Sequence, residues 1–144
     1  MSGLTEKQLN FFHDEGFLLI EDALDPDIFQ LLRAELTEKI DAFAREALTE
    51  SLLDNLYEHE PFERRLHHLA LQLENPTPLV ALGKGKKRTP GMFQIYTCPS
   101  LLDIVESVIG PEILAHPQFN IRPKRPYRDE SVVPWHQEPH RGRR

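Results

Sequence analysis

Along this chain apolar residues recur at helical spacing. Phe29, Leu32, Leu36, Ile40 and Phe43 step by three, four, four and three residues, which puts them on one stripe of an α-helix. Asp25-Pro26 ahead of that stripe supplies an N-cap carboxylate and a proline suited to the first helical position. An earlier helix is expected after Thr5, because Thr5 and Gln8 form a capping box, Leu9, Phe12 and His13 share a face, and Gly16 is a natural stop. Pro61 opens a third helix, in which Phe62, Leu66, Leu69 and Leu73 repeat the step and Asn75-Pro76-Thr77-Pro78 breaks it. His67 and His68 lie on its flank and read as surface or half-buried residues. Ser100-Leu101-Leu102-Asp103 caps a further helix that runs through Ile109 and ends at Gly110-Pro111. Residues 49–60 read as a short helix or an ordered loop.

Elsewhere the pattern changes. The apolar run FLLI at residues 17–20 reads as a short buried strand closed by Glu21-Asp22. After residue 110, the stretches ILAH (113–116) and QFNI (118–121) look like strand material, and Val132-Val133 leads directly into Trp135-His136. The expected fold is therefore α+β, with N-terminal helices packed on the first strands of an incomplete sheet. One domain spans residues 1–144: 1–110 mainly helical, 111–138 the first strands, and 139–144 an atypical tail. No internal repeat or low-complexity segment occurs.

Composition narrows the function classes. Hydrophobic content of 40% and charged content of 28% are those of an ordinary soluble domain. The longest apolar run has four residues, far short of a membrane span, and the start MSGLTEKQ lacks the basic and apolar regions of a secretion signal. A single cysteine, Cys98, excludes an internal disulfide and suits a reducing compartment, so a cytoplasmic location is expected. The net charge of −6 hides an asymmetry. Residues 1–83 carry 6 basic and 17 acidic side chains, whereas residues 84–144 carry 11 and 6. The basic half lacks the aromatic interleaving of single-strand binders, so no nucleic-acid partner is expected. The loop GKGKKRTPG, with Lys84, Lys86, Lys87 and Arg88, reads as a solvated loop or as an anion-contacting lid.

Candidate chemistry lies near the end, in VVPWHQEPHRGRR. His136 and Glu138 are two residues apart, the spacing at which a strand turns both side chains to one face. A mononuclear Fe(II) oxygenase centre takes two imidazoles and one carboxylate on one face of the metal, and His-x-carboxylate supplies two of the three.

Three stretches carry a wider likeness: LTEKQLNFFHDEGFLLIEDALDPD, LLDIVESVIGPEILAHPQFNIRPK and VVPWHQE. Together they resemble the N-terminal portion of the phytanoyl-CoA dioxygenase family of Fe(II)/2-oxoglutarate oxygenases. That resemblance implies a double-stranded β-helix of the jelly-roll, cupin-like kind as the sheet. It implies Fe(II) as the metal, 2-oxoglutarate as co-substrate and ascorbate as an auxiliary reductant. His136 would be the first iron histidine, Glu138 the carboxylate ligand, Gln137 a neighbour of 2-oxoglutarate, and Trp135 a brace for the strand. The substrate would be a small molecule hydroxylated at an unactivated C–H bond: the family name implies an acyl-CoA, yet its members hydroxylate many small molecules. The alternative is a non-enzymatic helical remnant or a partner-binding protein.

Two departures from the family pattern shape the expectation. Glu138 stands where the family usually has Asp, one methylene shorter. Only six residues follow Glu138, whereas the family's second histidine and its carboxylate-gripping basic residue come from later strands. His140 is a poor substitute, since four residues of strand separate it from His136 by about 13 Å. The expectation is thus a truncated, inactive chain with half a metal site and unpaired strand edges open to self-association.

Overall fold

The computed structural model describes residues 3–83, 89–115 and 121–126. Helix α1 spans Glu6–Glu15, and its start is the expected capping box. The Thr5 hydroxyl accepts from the Gln8 amide at 3.3 Å and the Gln8 side-chain oxygen accepts from the Thr5 amide at 3.0 Å. Gly16 ends the helix at φ 77°, a left-handed conformation in which a Cβ is costly. Helix α1 buries no residue. Just before it, the Leu4 amide donates to Ser107 Oγ at 2.9 Å.

Asp25 accepts from the Asp27 amide at 3.0 Å and starts one 3-10 turn, Pro26–Phe29, which leads directly into helix α2, Gln30–Thr49. Helix α3 runs Phe62–Gln72, and a short helix α4, Thr77–Val80, continues into a 3-10 turn at Ala81–Gly83. Helix α5 covers Pro90–Tyr96 and α6 covers Pro99–Ile109. Both begin with proline at the first helical position, where no amide is needed. Helix α6 is capped at Cys98, so Ser100 lies within the helix and does not cap it. Residues 50–60 are an ordered loop without a helix of their own.

The core lies where α2, α3 and α4 meet. Ile40, Ala44 and Ala47 of α2 face Leu69 and Ala70 of α3, with Leu53 of the loop and Leu79 of α4 closing the cluster. These α2 and α3 positions extend the apolar stripes read from the sequence, and Phe43, Phe62, Leu66 and Leu73 surround them. Alanines at the α2 seam let the two helices approach closely. Leu69 and Leu79 are the largest fully buried side chains, each stabilising by about 1.5–3 kcal/mol.

Helix α5 docks on the first turns of α2 at Gly91. A Cβ there would lie 2.6 Å from both the backbone nitrogen and the Cα of Leu32. Beside this contact, Glu35 Oε1 accepts from the Gly91 amide at 2.9 Å, a carboxylate at the positive end of α5.

The expected α+β fold is corrected by these elements. Every regular element among the described residues is helical, and no strand occurs among them. Residues 17–20 have no regular structure, and Phe17 and Leu19 are 61% and 79% exposed rather than buried. Residues 112–115 and 121–125 are likewise irregular, with Leu114 91% exposed. An extended segment becomes a strand only when its amides and carbonyls pair with a neighbour. Among the described residues, segments 17–20 and 112–115 make no such bond, and 121–125 makes one, from the Ile121 amide to the Gly83 carbonyl at 3.4 Å, too few for a ladder. The double-stranded β-helix, jelly-roll sheet is therefore not the architecture of the described chain.

Two substitutions test the packing by thermal or denaturant unfolding. Leu69→Ala is expected to destabilise by about 2–5 kcal/mol through transfer and cavity costs. Gly91→Ala is expected to cost about 1–3 kcal/mol, because the new methyl must push α5 away from α2.

Candidate functional site

The residues singled out for metal chemistry, His136, Gln137 and Glu138, lie outside the described residues, as do Trp135, His140 and the lysines and arginine at 84, 86, 87 and 88. His67 and His68 are described, and both are half-buried on α3, as the sequence suggested.

Around His67 and His68 the polar groups assemble from the bottom up. Tyr57 takes a positive φ of 48°, uncommon for an aromatic residue. It places its ring 5.1 Å from that of His68, tilted by 32°. His67 and His68 rings are 5.8 Å apart. Glu60 Oε2 lies 3.9 Å from His68 Nε2, the outer limit of an ion pair and attractive only when the imidazole is protonated. No group of three His, Cys, Asp or Glu side chains able to hold a metal occurs among the described residues. The geometry gives this cluster a stacking and loop-shaping role.

A second polar set fixes the same loop. Arg65 is 7% exposed, and its Nε donates to the Leu56 carbonyl at 3.1 Å. Its NH1 meets Asp41 Oδ1 of α2 at 2.5 Å. Gln72 accepts from the amides of Asp54 and Asn55, both at 2.9 Å, and donates to the Asn55 carbonyl at 2.8 Å. Two side chains of α3 thus satisfy backbone groups of a loop that has no ladder to satisfy them. Arg65 was not among the residues singled out from the sequence, although a signal was present: it stands three residues after Phe62 and four before Leu69, on the edge of the apolar stripe. Gln72 had no such signal, since its partners are 17 and 18 residues away.

An apolar cavity of about 120 Å³ opens between α2, α3 and the chain that follows α4. Leu36, Ile40, Phe62, Leu66 and Leu79 line it, with Ile121 and Pro123 on the opposite side. Its charged member, Glu63, is paired with Arg33 at 2.8 Å, and no histidine among the described residues lines it. The imidazoles of His67 and His68 and the cavity are separate features.

No protein-family model matches the chain, and searches of curated proteins and of solved structures found no match.

The loop's two anchors can be separated experimentally. Asp41→Ala leaves the buried guanidinium of Arg65 without its carboxylate. A loss of about 3 kcal/mol is expected, the low end for breaking a buried pair because Asp41 keeps contact with water. Gln72→Ala is expected to cost about 1–2 kcal/mol and to act locally. Hydrogen exchange at the Asp54 and Asn55 amides should accelerate while the amides of α2 stay protected.

Proposed function

We propose that the chain carries the N-terminal elements of an Fe(II)/2-oxoglutarate-dependent dioxygenase of the phytanoyl-CoA dioxygenase type. The observation that carries this reading is the ordered set of stretches ending in VVPWHQE, with His136 and Glu138 at ligand spacing. Within the first of those stretches the capped helix, the glycine stop and the helix start at Asp25-Pro26 are formed, but the strand that the resemblance implies between them is not, residues 17–20 being irregular. The donor chemistry fits as well, because an imidazole and a carboxylate are two of the three protein ligands such a centre uses.

In this reading His136 and Glu138 hold the iron, and Gln137 contacts the co-substrate. The bound iron and 2-oxoglutarate supply oxidative decarboxylation coupled to hydroxylation of a C–H bond, with ascorbate as auxiliary reductant. The described helices supply a scaffold: the apolar seam of α2 and α3 is a rigid base against which a site-bearing segment can be positioned. The substrate is a small molecule, an acyl-CoA or another of the many that the family hydroxylates, and the setting is the cytoplasm. The second imidazole has no candidate among the residues near Glu138 other than His140, whose spacing along an extended chain puts it about 13 Å from His136.

The test is calorimetry with Fe(II) or Mn(II) under anaerobic conditions, on the chain of this sequence. With two ligands identified, weak binding with little preference between the ions is expected. His136→Ala should weaken it at least tenfold, a change of about 1.4 kcal/mol. Binding indifferent to His136→Ala and Glu138→Ala would refute the metal assignment. Tight binding lost in His140→Ala would make His140 the third ligand. Incubation with Fe(II), ascorbate and 2-oxoglutarate should yield no succinate above a metal-free control.

A second reading, a non-enzymatic partner-binding protein, is favoured by the apolar surface. Phe11 and Phe17 stack edge to face at 5.7 Å, and both are exposed beside Leu19. No helix among the described residues is long and apolar enough to cross a membrane. Self-association through exposed apolar side chains is expected in either reading. Sedimentation should show it as a concentration-dependent rise in mass that Phe17→Glu with Leu19→Glu reduces. A monomer at all concentrations would count against it.

A further inference from the structure

We draw no further inference here: the strongest candidate, the apolar cavity of about 120 Å³ between α2, α3 and the segment containing Ile121 and Pro123, carries nothing because nothing in the structure shows what fills or covers it.

Discussion

Much of this fold depends on the buried guanidinium of Arg65. A charge taken out of water is costly unless it is paired and hydrogen-bonded, and Arg65 meets that demand with groups from two different parts of the chain. Asp41 belongs to α2 and the Leu56 carbonyl to the loop, so one side chain of α3 joins all three. The cluster of Ile40, Ala44, Leu53, Leu69 and Leu79 lies on the same junction. Apolar burial drives the helices together, but it is not directional. The Arg65 bond to the Leu56 carbonyl and the Gln72 clamp on Asp54 and Asn55 specify how the loop sits over the seam.

The rest of the molecule attaches away from this junction, with α5 packed on α2 and on the 3-10 turn before it. Helix α5 is held by a close backbone approach at Gly91 and by the Glu35 carboxylate on its first turn. The residues leading into α1 meet α6 through the Leu4 amide and Ser107 Oγ. Neither α1 nor α6 contains a buried residue. The described chain is thus graded, from a packed three-helix junction to peripheral helices whose apolar residues are mostly half-buried. Phe17, Leu19, Phe93, Ile109 and Leu114 are all exposed. That gradient is the structural basis for weighing a partner-binding role beside the enzymatic one.

Legibility of the site differs from legibility of the fold. The His136-x-Glu138 pattern and the three family-like stretches are read from residue order alone, and the described helices neither add to nor subtract from the two ligands. The polar constellation that the structure does assemble, Tyr57 with Glu60, His67 and His68, joins residues of the loop and of α3. The sequence marked its two histidines as flanking residues without indicating their neighbours. Its stacked geometry and long Glu60–His68 separation make it a feature of loop architecture.

The sequence by itself determined the helices whose signals are local. The Thr5–Gln8 box, the Asp25-Pro26 start and the stripes on α2 and α3 involve residues at most four positions apart, so each is encoded within a turn or two of chain. Helix α5 was equally encoded by Thr89-Pro90, a hydroxyl cap ahead of proline like the Asp25-Pro26 start, but its seven residues are too short for a periodic pattern. Only the tertiary structure decided which apolar runs are buried. FLLI at residues 17–20 has the composition of a core strand, yet burial and pairing need a partner surface that local sequence cannot specify. Tertiary structure also made Arg65 a buried charge and Gly91 a point of close backbone approach. Each is set by residues far away in sequence, Asp41 at 24 positions and Leu32 at 59, beyond the reach of any local pattern.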